Sequence, residues 1–397
     1  MNKLEQLIKE FCYGGVEYKK IKDCFKRLKG TPITAGKMKE IETKNGKIRI
    51  FAGGKTVINA NEDDIPNANI TRVPAVLVQS RGIIDVVYFE SPFTFKNEMW
   101  AYTHDEKTTV KYLYYVLKNN IQQFRDSASG MGSLPQISLK VTEEFVIPFP
   151  PISIQHEIVR ILDNFKELTE ELTEELTARK KQYEYYRSEI LSLSKLTKTK
   201  TLEEVCDFVR GPFGGSLKKQ IFTSDGYAVY EQQHAIYGEF KFRYFVDEQK
   251  FKEMKRFKVK PGDLIMSCSG TMGKIAIIPD DAPKGIINQA LLKLTPKEGV
   301  DSRFLKYCFE DSISAQMNSI ARGGAIKNIA SVTVLKDIKI QMSCIDEQLR
   351  VVALLDKFDT LCNDISVGIP AEIEARQKQY EYYRDKLLTF PKAELEV

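Results

Sequence analysis

Two segments of the chain carry an apolar stripe at helical spacing. In the first, Ile158, Ile161, Phe165, Leu168, Leu172, Leu176, Tyr183, Tyr186 and Ile190 follow in steps of 3, 4, 3, 4, 4, 7, 3 and 4. In the second, Val351, Leu354, Phe358, Leu361, Ile365, Ile369, Ile373, Tyr380, Tyr383 and Leu387 repeat that series with one extra step of four. Residues three and four apart share a helix face, so each segment predicts a long amphipathic helix that needs a partner of similar length. The pair predicts an intramolecular antiparallel coiled coil. Pro148, Pro150 and Pro151 mark where the first helix begins, since proline is tolerated before or within the first turn. Gly368 and Pro370 predict a kink or break in the second.

The sequence before each helix reads differently. Residues 1–150 alternate short β-rich runs (Ile48–Phe51, Ala75–Val78, Ile84–Phe89) with Gly, Pro and Asn, and one helical stretch falls at about Thr109–Asn119. Residues 195–341 show the same grammar, with strands at Asp263–Met266 and Ile275–Ile278 and a helix at Ser302–Asp311. Both blocks predict α+β domains.

The two halves are copies. Gln-Tyr-Glu-Tyr-Tyr-Arg occurs as Gln182–Arg187 and again as Gln379–Arg384, and Ile161–Phe165 matches Leu354–Phe358. In the blocks, Val78–Gly82 corresponds to Met266–Gly270, Lys111–Tyr115 to Arg303–Tyr307, and Gly130–Ser133 to Arg322–Ala325. Similarity is strong in the helices and weak in the blocks, as in a tandem duplication that kept its scaffold while its working surfaces diverged. The expected fold is α+β, with two variable domains separated by a two-helix antiparallel coiled coil and an internal pseudo-two-fold. The boundaries are 1–150, 151–194, 195–341 and 342–397. The first helix also carries a tandem tetrapeptide, Glu-Leu-Thr-x, over Glu167–Ala178.

Composition narrows the class. No apolar run approaches 18 residues, the start shows no signal-peptide pattern, and seven cysteines without a C-x-x-C pair predict reduced, mostly buried thiols in a cytoplasmic protein. The net charge of +5 divides unevenly: Glu157–Ile190 carries nine acidic and six basic residues, a net of −3, leaving +8 elsewhere. Basic excess outside an acidic helix suits two DNA-facing blocks on a spacer.

The order of variable block, helix with QYEYYR, second block and second helix resembles the specificity subunit of type I restriction–modification enzymes over essentially the whole chain. Leu4–Ile8 with Gly15–Tyr18 resembles the start of that family, and Gly368–Arg376 with the hexapeptide its C-terminal signature. The resemblance implies that each block is a target recognition domain reading half of a bipartite double-stranded DNA site. It implies that the helices space the blocks and dock two modification subunits, which carry S-adenosylmethionine, while two restriction subunits add ATP- and Mg-dependent translocation and cleavage. One departure is visible: the central helix has the tetrapeptide array where the C-terminal one has Gly-x-Pro.

Catalytic motifs are missing from the chain. Phe149–Ile152 has the wrong flanks for an amino-methyltransferase motif, and Gly270–Ile275 lacks the spacing and the Ser/Thr of a phosphate-binding loop, predicting a glycine-rich turn instead. No metal site and no cofactor are expected in this chain. DNA contacts are expected from loops where small residues let the backbone approach and polar or basic side chains reach phosphates or bases. In the first block these are Gly53, Gly54, Lys55, Gln79, Ser80, Arg81, Gly130, Gly132, Ser133 and Gln136. In the second they are Arg210, Ser216, Lys218, Lys219, Gln232, Gln233, His234, Ser269, Thr271, Lys274, Arg322, Lys327 and Asn328. Tyr183, Tyr186, Tyr380 and Tyr383 fall on the stripe and are expected in the helical core; Tyr185 and Tyr382 fall off it and are candidates for subunit docking. The alternative is a coiled-coil scaffold whose variable blocks bind proteins rather than DNA.

Overall fold

The computed structural model describes residues 6, 10, 14–54, 56–129, 134–192, 198–268, 271, 273–313, 332–364 and 366–392. It divides into two units, one of residues 1–173 with 372–397 and the other of residues 174–371.

In the first unit, strands β1 (Tyr18–Lys20), β2 (Lys26–Lys29), β3 (Ile48–Phe51), β4 (Val57–Ala60), β5 (Ala75–Gln79), β6 (Asp85–Phe89), β7 (Phe93–Phe95), β8 (Trp100–Thr103) and β9 (Val146–Pro148) form three sheets. Their orders are β2-β8-β5-β6, β4-β3-β7 and β1-β9. The uninterrupted apolar run of β5 follows from burial on both faces. Val76 and Val78 face the helix Lys107–Asn119, whereas Ala75 and Leu77 pack with Phe51, Phe93 and Phe95.

The second unit repeats this plan. Strands β10 (Lys198–Thr201), β11 (Cys206–Arg210), β12 (Tyr227–Tyr230), β13 (Phe245–Val246), β14 (Leu264–Ser267), β15 (Ile275–Ile277), β16 (Gly285–Ile287), β17 (Leu291–Pro296) and β18 (Lys339–Met342) pair in the orders β11-β17-β14-β15, β13-β12-β16 and β10-β18. Even the parallel pair recurs, β3 with β7 and β12 with β16. Strand β14 splits as β5 does, with Leu264 and Met266 in one cluster and Ile265 in another.

The central helix runs from Ile152 to Ser192, 41 residues starting directly after Pro151. Within the first unit it packs antiparallel to the C-terminal helix. The Phe165 ring stacks on Tyr383 at 5.5 Å and meets Tyr380 edge-on at 6.5 Å, while Ile154 and Ile158 share a cluster with Leu387, Leu388 and Phe390. Within the second unit Tyr183 stacks on Phe358 at 6.2 Å and Leu191 shares a cluster with Val351 and Val352.

The second stripe is broken, as Gly368 and Pro370 predict: helices Ile345–Asn363 and Ile369–Leu388 replace one rod. A Cβ on Gly368 would lie 2.4 Å from the Thr360 carbonyl oxygen, so only glycine lets the chain fold back on the helix end. The extra four-residue step of the second copy is used in this interruption, not as added helix. Ile365 of the stripe lies outside the described residues.

The stripe is less buried than its periodicity predicts. Tyr183 is buried and Tyr380 half-buried, but Leu168, Tyr186, Leu361 and Tyr383 remain exposed. Two helices in contact can bury only the facing part of a wide stripe, so its flank stays in water.

Candidate nucleic-acid surfaces

In the first unit, three loops that are far apart in sequence are tied together. Gly54, at φ +71°, donates its N–H to the Arg81 carbonyl at 3.2 Å. Gly82, at φ +78°, donates to the Pro135 carbonyl at 2.8 Å, and Ile137 donates to the Ser80 carbonyl at 3.0 Å. Arg81 and Gln136 face each other as an isolated bridge. Gly53, Gly54 and Arg81 therefore meet in one place, at a groove of about 920 Å³ lined also by Met38, Ile83, Leu134, Lys39 and Lys96, while Gln136 adjoins Arg81 without lining it. The Arg81 side chain is exposed and forms no ion pair among the described residues, whereas Lys96 is held by Glu98 at 2.8 Å.

Two candidates in this set are corrected. Gln79 and Ser80 are buried, and Ser80 Oγ donates to the Glu98 carbonyl at 2.5 Å. Both side chains lie inside the domain, and that of Ser80 braces the loop. Lys55, Gly130, Gly132 and Ser133 lie outside the described residues. Lys39 and Lys96, which sequence reasoning missed, carry no local motif. Only the fold brings them to the groove.

In the second unit, Arg210 ends β11 beside the Cys268 thiol, whose pKa burial pushes up to about 11 while Arg210 acts to lower it. The turn between β14 and β15 is organised by Ser267. Its Oγ donates to the Thr271 carbonyl at 2.6 Å and accepts from the Lys274 N–H at 3.0 Å, and Gly273, at φ +76°, donates to the Ser267 carbonyl at 3.0 Å. These bonds fit the expected glycine-rich turn, of which Gly270 and Met272 lie outside the described residues, and they leave the Thr271 and Lys274 side chains exposed. Lys274 lines a groove of about 660 Å³ with Tyr237, Arg187, Lys306 and Glu310. Ser216, Lys218 and Lys219 are exposed on the loop after β11.

The Gln232–His234 set is only partly at the surface. Gln232 and Gln233 are half-buried at the start of the helix Gln232–Tyr237. His234 is fully buried: Nδ1 accepts the Glu231 N–H at 2.8 Å and Nε2 donates to the Lys241 carbonyl at 2.9 Å. Both ring nitrogens are thus used in a neutral imidazole, which corrects its placement among the DNA contacts. Ser269, Arg322, Lys327 and Asn328 lie outside the described residues.

On the helices, Tyr185 and Tyr382 are 60% and 61% exposed, each edge-on to the next tyrosine at 5.3 Å. Both copies present the same pair of rings to solvent. Each unit is also fastened to its helix in one way: Tyr115 donates to Asp163 Oδ1 at 2.5 Å with Lys111 2.7 Å from the same carboxylate, and Tyr307 donates to Asp356 Oδ1 at 2.7 Å with Arg303 at 3.2 Å.

One α+β sheet plan built twice, each copy packed on long helices and presenting polar loops, defines a two-module protein. The family model described as "Type I restriction modification DNA specificity domain" matches residues 13–179 and again 195–375. A type I restriction enzyme specificity subunit of Escherichia coli is 36% identical over 307 residues, 73% of each chain. A putative type I specificity subunit of Haemophilus influenzae is 34% identical over 74% of this chain and 77% of its own. In fold, the chain is similar to the type I restriction–modification S subunit of M. genitalium, with a TM-score of 0.54 and 18% identity over 94% of this chain and 96% of that one. The chain belongs to the type I restriction–modification DNA specificity family, whose members are non-catalytic subunits that confer DNA sequence specificity. Among the described residues, no helix is long and apolar enough to cross a membrane.

Proposed function

We propose that residues 1–150 and 195–341 are two target recognition domains, each reading one half of a bipartite double-stranded DNA site. The helices of 151–194 and 342–397 set their spacing and dock two modification subunits. Those subunits carry S-adenosylmethionine and the methyltransferase chemistry. Two restriction subunits supply the ATP- and Mg-dependent steps, and the assembly works in the cytoplasm, where the DNA lies.

The observation that carries this reading is a single sheet plan built twice, with its loop residues changed. The turn after β5, which carries Arg81, corresponds to the turn after β14, which carries Thr271 and Lys274, and Lys29 at the end of β2 corresponds to Arg210 at the end of β11. Two different half-sites require two different readers on a common frame. The exposed tyrosines are kept in both copies, which suits two equivalent partner subunits.

A gel shift of the chain with its modification subunit on randomised duplex DNA, read out by sequencing, tests this. One bipartite sequence should emerge, with an affinity that falls steeply with salt. Binding without sequence preference, or a protein ligand for the loops, would establish a scaffold instead. Tyr185→Ala with Tyr382→Ala should weaken subunit assembly and leave the thermal midpoint nearly unchanged, because both rings stand in solvent.

A further inference from the structure

Phe213 is 93% exposed, the most exposed large apolar side chain among the described residues. It stands on the loop after β11, and both sides of that loop are pinned. Gly211 donates its N–H to the Leu291 carbonyl at 2.9 Å, and a Cβ there would lie 1.9 Å from the Asn288 carbonyl oxygen. Pro212 is buried. On the far side Ser216 donates its N–H to the Phe213 carbonyl at 2.8 Å, and Leu217 is buried against Val229, Val246 and Ile286. The backbone is held on both sides of the ring, which projects into solvent.

The segment that carries the ring is cationic in sequence. No acidic residue lies between Asp207 and Asp225, and Arg210, Lys218 and Lys219 are exposed without an ion pair among the described residues. An apolar side chain at a basic, rigid tip fits the wedges with which proteins part stacked bases, where phosphate contacts draw the duplex in. Because the loop is already fixed, insertion costs little ordering. An apolar protein partner would give no reason for the surrounding positive charge.

The first unit has no counterpart. Its equivalent glycine, Gly30, also abuts a carbonyl, with a Cβ 2.2 Å from Phe95 O, but the residue two further on is Pro32, which is exposed and carries no aromatic ring. Among the described residues, an exposed ring at this loop position belongs to the second unit alone.

We propose that Phe213 is a wedge that enters the base stack of the second half-site and unstacks one step there. This rests on the DNA-reading function above. The test uses the full chain in complex with its modification subunit, on duplexes carrying the site mapped by methylation sequencing. A fluorescent adenine analogue, quenched by stacking, is placed in turn at each position of the second half-site other than the methylated adenine.

Wild type should brighten the probe at one step. Phe213→Ala should abolish that signal and weaken binding about tenfold or more, as removal of a base-stacking ring does, while Phe213→Leu should retain part of both. A signal that persists in Phe213→Ala overturns the wedge. So does its absence at every step while wild type still selects the half-site. Loss of the modification subunit from Phe213→Ala, with unstacking intact, would assign the ring to a protein contact. Failure of wild type to select any half-site would remove the DNA reading itself, and the wedge with it.

Discussion

At the residue scale, loops that look alike in sequence contain side chains with opposite jobs. Ser80 and Arg81 are neighbours, yet one is sealed inside by a bond to the Glu98 carbonyl and the other stands in solvent. His234 reads as a polar loop residue and is instead a buried brace between Glu231 and Lys241. Replacing His234 with Ala should therefore destabilise the chain by about 2–3 kcal/mol, from the cavity and two orphaned backbone groups. Thermal unfolding measures the loss. DNA binding, measured well below the midpoint, should be little changed. A strong loss of binding with stability intact would restore His234 to the contact surface.

At the element scale, each unit is fastened to its helix through one acidic residue, Asp163 or Asp356. Tyr115→Phe should cost about 1 kcal/mol, since the carboxylate is partly exposed and keeps Lys111. Tyr307→Phe should cost a similar amount, and denaturant titration checks both. Burial and the neighbouring carboxylate raise the pKa of both tyrosines far above the ordinary value.

Tyr183, on the central helix, is pushed up from 10 to about 12, chiefly by burial and then by the Asp359 charge. Its proton is held more tightly in the folded state. Its contribution to stability is therefore complete below about pH 10 and lost as the pH rises toward about 12. Unfolding midpoints across that window should fall more steeply for wild type than for Tyr183→Phe. Parallel profiles would show that the ring ionises as freely when folded.

At the scale of the whole molecule, the central helix is the continuous element, since Ile152–Ser192 contributes to both units. The tetrapeptide array lies inside it. Four residues advance an α-helix about 6 Å and turn it a net of about 40°, close to the rotation of one base pair of B-form DNA, whose repeat is about 10–10.5 base pairs. Deleting Glu171–Glu174 should shorten the spacer between the methylated half-sites by about one base pair and leave both half-sites unaltered. Sequencing of methylated DNA from cells carrying the variant decides it. An active, folded variant with the old spacer would show that the array is only a solvated helix face.

The sequence by itself determined the duplication, the helices and the class of the protein, because these are written in local periodicity and in the repeated QYEYYR block. Proline placed the start of the central helix, and Gly368 placed the break in the second. The strands Ile48–Phe51 and Ala75–Val78 were legible from their apolar runs, the second extending to Gln79 in the structure. Only the tertiary structure decided which loop residues face outward. Gly54, Arg81 and Gln136 converge through backbone hydrogen bonds between segments distant in the chain, whereas Gln79, Ser80 and His234 turn inward. It also decided how much of each apolar stripe is covered, since two helices leave Leu168, Tyr186 and Tyr383 in water. Periodicity reports which residues share a face, but burial depends on what the rest of the chain lays against it.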